Sequence, residues 1–365
     1  MDRRLLLGAA AAAAPVALMA PALAQTAMPE VRWRVQSSFP RVFDVLYGTL
    51  ERVAARVAQL TDNKFRIQAF PAGEIVGGLQ VLDAVQAGTI EAGHTASYYY
   101  IGKDIAFAPF TAMSFGLNAR QMTAWFRFGG GNALAADLFR EYNIHGITCG
   151  DTGAQMGGWF RNEMRSVSDL NGLKFRITGL AGQLFTRLGA APVLTAPADI
   201  YPSLERGVID AAEFVGPHDD ERANYVRVAR FYYAPGFWEP GARLHFMSNI
   251  RAYSALPDLY KHALDVACAE ADSDMVARYD HLNPQALRRL VAAGAQLRFW
   301  PREILQAAWR ANEEMVNDLS GRNARFKTIM DSYRAYRGEM FQWHRVGENS
   351  FDNFAFPAAA AGAAQ

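Results

Sequence analysis

The chain has 365 residues, 51% hydrophobic and 20% charged, a globular composition too long for one ordinary core and sized for two domains. Its 37 basic and 36 acidic residues leave no basic field, so nucleic acid is not an expected partner. With two cysteines, no CxxC and no HExxH, neither a disulfide framework nor a zinc centre is indicated; Cys149 and Cys268 either pair or stay as two buried thiols.

Residues 1–24, MDRRLLLGAAAAAAPVALMAPALA, place adjacent Arg3 and Arg4 before an alanine-rich apolar run that ends in Ala22-Leu23-Ala24. That reads as a cleaved secretory signal of the twin-arginine type. A membrane anchor is the competing reading; Pro15 and Pro21 interrupt the run, and no cysteine follows to take a lipid. Without the leader the charges balance, and no later stretch is long and apolar enough to span a bilayer.

Strand and helix signals then alternate. Val31–Ser37 reads as a strand. Pro40 precedes a helix through about Leu60, with apolar residues at Val42, Leu46, Leu50, Val53 and Val57. Lys64–Phe70 is the next strand, Leu79–Ala87 a helix, Glu91–Ala96 a strand, and Ala133–Tyr142 a helix feeding the strand Gly146–Cys149. Residues 173–177 form a short strand followed by the glycines of a strand-to-helix turn. This order predicts α/β layers with mostly parallel strands. After about Asn249 the pattern is helical: Leu256–Tyr279, Pro284–Ala293, and one long run from Pro301 to about Trp343, with a frayed PAAAAGAAQ tail.

A weak internal repeat aligns VLDAVQAGTIEAGH (81–94) with YPSLERGVIDAAEF (201–214), Gly88 falling on Gly207. Each copy is a helix, a glycine that stops it, and a strand starting Ile-acid-Ala. We read one βαβ unit used once in each of two similar lobes, although chance similarity between helix-to-strand turns is a competing explanation. The alignment makes His94 and Glu213 equivalent near strand ends, where open α/β sheets bind ligands. Residues 95–100 and 213–217 would then line one cleft.

Arg176 sits at such a strand end. Its guanidinium matches a carboxylate in bidentate fashion, or else pairs with a surface acid. Glu213 lies in an apolar setting, where a carboxylate must be protonated, paired or metal-bound. In DTGAQMGGWFRNE (151–163), Gly157 and Gly158 allow close backbone approach and Gln155 offers an amide, but no GK[ST] follows to bind phosphate. Tyr98, Tyr99 and Tyr100 alternate in facing if extended, so at most two share a surface. Phe237 and Trp238, between prolines and glycines, could wall an apolar pocket or simply pack. There is no GxSxG and the histidines form no metal spacing, so no catalytic residues are assigned.

These segments together, QMGGWFRNE, DLNGLKFRI followed by GLAG, IYPSLERGVIDAAEFVGPHDD and PGFWEPG, resemble the periplasmic substrate-binding proteins of TRAP transporters, the DctP-like family, and most nearly the branch that binds 2-oxo acids and other small monocarboxylates. The resemblance covers nearly the whole mature chain. It implies an α/β, two-lobe periplasmic-binding-protein-like fold with a hinge and long C-terminal helices: lobe I over 25–150, with part of 235–260 returning to it, lobe II over 151–234, and a helical segment 250–365 packing across both. It implies that Arg176 grips the ligand carboxylate, with Gln155, Tyr98, Tyr99, Asp151 and Trp238 also expected at the ligand. It implies a cation, sodium or calcium, held by Gln155, Glu213 and Phe214. Phe214 stands where the branch usually has Trp, Asp151 where it has Asn, and His218 where Tyr is common. Asp151, if it faces the site, would add negative charge and favour calcium. The implied function is not enzymatic: periplasmic capture of a small organic monocarboxylate, delivered to the membrane permease subunits of a TRAP transporter. A homodimer through the C-terminal helix is also possible within this family. The alternatives are a periplasmic enzyme using Glu213 or His94 as a base, and a module presenting its ligand to a sensor.

Overall fold

The computed structural model describes residues 28–362; the expected leader lies outside the described residues. Eleven strands run in chain order as β1 Val31–Ser37, β2 Phe65–Phe70, β3 Ala92–Thr95, β4 Ile144–Asp151, β5 Trp159–Phe160, β6 Lys174–Arg176, β7 Ala191–Val193, β8 Ala211–Ala212, β9 Phe231–Ala234, β10 Arg243–Asn249 and β11 Gln296–Phe299. They make two sheets. The first has the order β2-β1-β3-β10-β4, with β10 antiparallel to both neighbours and the other pairs parallel. The second has the order β11-β9-β5-β8-β6-β7, with β5 the antiparallel member.

The chain leaves the first sheet after Asp151, enters the second at Trp159, and returns through residues 235–242 into β10. A third crossing is the helix Asp258–Ala292, which packs on β4 and on the helix Leu46–Leu60, then on the helix Pro217–Arg222 beyond the second sheet. Apolar residues on the helix Leu46–Leu60 (Leu50, Val53, Val57) bury against Trp33, Val35 and Phe65 of the sheet and against Tyr260 and Leu264 of the long helix. Cys149 and Cys268 lie in this same core, both buried and both free thiols.

Several element expectations change. Residues 40–45 are turn and loop rather than helix, and Val42 is exposed while Phe39, Phe43 and Val45 on either side are buried, Phe43 against Phe214 of the second lobe. The break expected before Pro284 is absent: one helix runs from Asp258 to Ala292 with the proline inside it. A proline there removes one hydrogen bond and costs about 3 kcal/mol; burial of Tyr260, Leu264, Met275 and Tyr279 before it and Ala286 and Leu290 after it outweighs that loss. The expected single run from Pro301 is two helices, Arg302–Arg322 and Ala324–Val346. They break at Asn323, whose extended backbone and side-chain bond to the Phe326 N–H start the second helix as an N-cap. A last helix, Glu348–Gly362, takes in residues 357–362, which were expected to fray.

Both repeat copies have one local form. The helices Val81–Ala87 and Ile200–Glu205 end at Gly88 and Gly207, each left-handed with φ of 74° and 71°, and β3 and β8 follow.

Candidate functional site

Arg176 ends β6, and Glu213 directly follows β8, its parallel neighbour, so the sheet register itself sets the two side by side. Arg176 Nη1 donates to Glu213 Oε1 at 2.6 Å and to the Glu213 carbonyl at 2.7 Å, and its Nε donates to the Thr195 carbonyl at 3.1 Å. Thr178 donates to the same Glu213 oxygen at 3.2 Å. Both charged side chains are only 1% exposed. Burial pushes the Glu213 carboxyl up, against the pull of the neighbouring guanidinium.

Above them is a closed cavity between the lobes, with about 10 Å3 of room, roughly one water's worth. Phe39, Leu46, Tyr98, Tyr99 and the β10 residue Leu244 line it from the first lobe, Arg176, Phe214 and Val215 from the second, and Thr152, Gln155 and Ala242 from the crossing segments. Among these residues and Glu213, which is bonded to Arg176, three buried polar atoms have no hydrogen-bond partner: Arg176 Nη2, Glu213 Oε2 and Gln155 Oε1. Desolvating a polar atom without a partner costs about 1–3 kcal/mol, more when it is charged, so each awaits a complement. One is a cationic donor suited to a carboxylate; the other two are oxygens suited to a hard cation. The donor set therefore fits the cation that the sequence implied. Phe214 lies beside them, its ring 5.9 Å from the Arg176 guanidinium carbon and tilted against Phe43 across the lobes, with centroids 4.6 Å apart.

The glycines of the 151–163 segment make this assembly possible. A side chain on Gly158, at φ 82°, would put its Cβ 2.5 Å from the Ala212 carbonyl and 2.9 Å from Glu213 Cα. The segment can lie against β8 only without one.

Tyr98 and Tyr99 both reach the cavity because residues 97–100 form a tight 3₁₀ turn, not the extended run whose alternation was expected. Two expected ligand residues point elsewhere. Asp151, expected to face the site, accepts from the Gly153 N–H at 2.9 Å and faces the Arg243 guanidinium, which also binds Asp272 of the long helix. It belongs to the ion network beneath the crossing strands, so its charge cannot tilt the cation preference as expected; burial lifts its carboxyl to about 6. Trp238 does not line the cavity; it packs against Phe175, Phe185, Phe237 and Trp300. His94, equivalent to Glu213 in the repeat, is fully buried in the first sheet with Nε2 2.9 Å from the Cys149 carbonyl. Burial drives its imidazole down to about 4, and its bonding inside the sheet holds it away from the cavity.

One residue escaped the sequence reading. Glu239, in PGFWEPG, is 2% exposed and accepts from Tyr98 OH at 3.0 Å and from Gln155 Nε2 at 3.2 Å. Burial, reinforced by the charge of Glu213, pushes its carboxyl well above the usual range. A lone acid between Trp and Pro carries no pattern of its own; only its place in a motif otherwise made of Pro, Gly and aromatic residues marked it.

Residues 40–322 match the family model DctP, described as bacterial extracellular solute-binding protein, family 7. A relative from Nostoc sp. strain PCC 7120, a monocarboxylate 2-oxoacid-binding periplasmic protein, is 47% identical over 91% of each chain. A TRAP transporter solute-binding protein from Bordetella bronchiseptica, solved as a mixed-occupancy dimer with calcium and picolinate in one site and the other apo, is 45% identical with a TM-score of 0.90, over 92% of this chain and 99% of that one. One from Pseudoalteromonas atlantica, solved with sodium and pyruvate, is 33% identical with a TM-score of 0.87, over 89% and 99%.

Proposed function

The chain belongs to the DctP family of bacterial extracellular solute-binding proteins, and on that premise we propose that its closed cavity captures a small 2-oxo or 2-hydroxy monocarboxylate together with a cation. It is a periplasmic protein of a TRAP-type system, and its cargo goes to the membrane permease. No described helix is long and apolar enough to cross a membrane.

The observation that carries the site assignment is the set of three unpartnered buried atoms: Arg176 Nη2 and Gln155 Oε1 on residues that line the cavity, and Glu213 Oε2 on the acid bonded to Arg176. Arg176 would take one carboxylate oxygen of the ligand while keeping Glu213. Glu213, Gln155 and the Phe214 backbone carbonyl would hold the cation, whose chemistry here is to offset negative charge and to orient the ligand's second oxygen. Tyr98 and Tyr99 close the first-lobe side. Since the cavity has room for about one water, admitting a carboxylate requires the lobes to part and close again.

Charge accounting favours calcium. In the ion-free protein burial favours the protonated form of Glu213 and, more strongly, of Glu239; a divalent ion beside them would favour their ionised forms, and with both ionised the two acids and a ligand carboxylate outnumber Arg176 by two, which that one ion cancels. Isothermal titration of chelator-treated protein with pyruvate, with calcium or sodium added back, tests it: micromolar binding restored by calcium is expected, and full binding with sodium alone would overturn the preference. Native mass spectrometry of the purified protein should find an intact acid and an ion; a chemically altered acid would point to turnover, which we do not assign.

We also propose a homodimer through the last two helices. Phe341, Trp343, Val346, Phe351, Phe354 and Phe356 are all exposed there. Sedimentation equilibrium should show two copies, reverting to one in a Phe351→Asp/Phe354→Asp chain; a wild-type monomer would refute it.

A further inference from the structure

The first lobe touches the second not only at the ligand cavity. Asp44 lies in the turns between β1 and the helix Leu46–Leu60. Opposite it, the short helix Pro217–Arg222 of the second lobe presents His218 and Arg222. His218 Nε2 is 2.8 Å from Asp44 Oδ1, and Arg222 Nη2 donates to Asp44 Oδ2 at 2.7 Å. Both oxygens of one carboxylate are thus held from across the lobe boundary. A ring nitrogen 2.8 Å from a carboxylate oxygen must carry the proton, so His218 donates through Nε2. The short helix is itself anchored: the His218 N–H donates to Asn283 Oδ1 of the long helix at 3.0 Å, and Tyr279 OH of that helix donates to Asp219 at 2.5 Å. The two neighbours hold the Asp44 carboxyl below its ordinary value despite partial burial.

We propose that Asp44, His218 and Arg222 are a closure latch: positioning residues that touch no ligand and set how long the closed form, and so the captured acid, persists. Three features support this role over a chance surface ion pair. Its partners come from different lobes and meet only when the lobes are together. It sits next to the Phe43–Phe214 contact, so the segment 213–222 joins it directly to the proposed cation and carboxylate ligands. His218 is buried, which keeps one arm of the latch from competing water. The cluster of Asp44, His218 and Asp219 has a spacing that a metal ion could use, but Arg222 already supplies the positive charge at Asp44.

The proposal rests on the solute-binding reading, and its test has an arm that does not. Spin labels on Asn132→Cys and Arg206→Cys, one exposed site in each lobe, report the closed fraction of the mature chain without any ligand; Cys149 and Cys268 are buried and stay unlabelled. Asp44→Asn is expected to lower that fraction. In the ligand arm, stopped-flow with pyruvate and calcium should show dissociation faster by about fivefold with association unchanged, the scale of a part-exposed ion pair. Arg222→Gln, on a side chain as accessible as that of Asp44, should do the same and serves where Asp44→Asn folds poorly, and the double variant should be no faster than the worse single one. An unchanged closed fraction, an unchanged dissociation rate, or effects that simply add would each overturn the latch. A wild-type chain that binds no 2-oxo acid would instead refute the functional reading, with the lobe distances still deciding the latch.

Discussion

Arg176 keeps one terminal nitrogen free while the other binds Glu213, and both groups are sealed from water. Replacing it with alanine leaves Glu213 and an incoming carboxylate facing each other unpaired, so Arg176→Ala should weaken binding by about 2–5 kcal/mol, read by titration calorimetry. Micromolar binding in that variant would remove the residue from its role. Glu239→Gln keeps the bonds to Tyr98 and Gln155 within reach but removes a negative charge, so it should lower calcium-dependent affinity and narrow the gap between calcium and sodium; an unchanged ion preference would show that Glu239 stays neutral. Two acids outside the cavity govern stability. Burial lifts Asp219 to about 8 and Asp220 to about 7, so the folded chain holds protons there that the unfolded chain has lost. Stability then falls as pH rises through that window. Buried His94 and His245 and partly buried His145, at about 4, 3 and 4, act in the opposite direction, but only below about pH 6.5, where an unfolded histidine begins to protonate. Between pH 6.5 and 8 the ligand-free protein should therefore lose on the order of 2 kcal/mol. Thermal melts across that range check it; a Asp219→Asn/Asp220→Asn chain should show a flatter profile.

Among the elements, the segment before β5 controls the site most directly. Gly158→Ala would force a β-carbon into the Ala212 carbonyl and against Glu213. We expect a loss of about 2 kcal/mol or more in stability together with loss of ligand binding, because β8 must shift and carry Glu213 with it. Melting and titration of the same sample test the pair; normal affinity in a folded Gly158→Ala chain would contradict the close approach. Gly88 and Gly207 show the milder case: both are left-handed helix stops, but an added β-carbon meets nothing closer than 3.7 Å and 3.9 Å, so substitution there bears on backbone strain alone. The long helix shows why local signals mislead. Pro284 reads as a boundary, yet packing on both lobes carries the helix through it.

For the whole molecule, three crossings joining two sheets allow closure to couple cation and acid: each binds best when the other has drawn the lobes together. Chelation should thus reduce pyruvate affinity by a coupling of about 1–3 kcal/mol, and small-angle scattering should show a smaller radius of gyration only when both are present; equal affinity with and without the ion would break the coupling. The alternation of strands and helices and the left-handed glycines were legible in the sequence, because periodicity and turn chemistry are local properties of the chain; Arg176, Gln155, Glu213, Tyr98 and Tyr99 were singled out through motifs and a family resemblance, and their roles at a ligand remain proposals that rest on their meeting in the folded chain. Which acids face the cavity was not legible. Asp151 turned to Arg243, which Asp272 also holds, Trp238 packed among aromatic rings off the cavity lining, and Glu239 bonded to two residues that line it. Those placements depend on which partners distant strands bring within a few ångströms, and a buried charge goes wherever such a partner waits, a choice made only when both lobes and the long helix have packed.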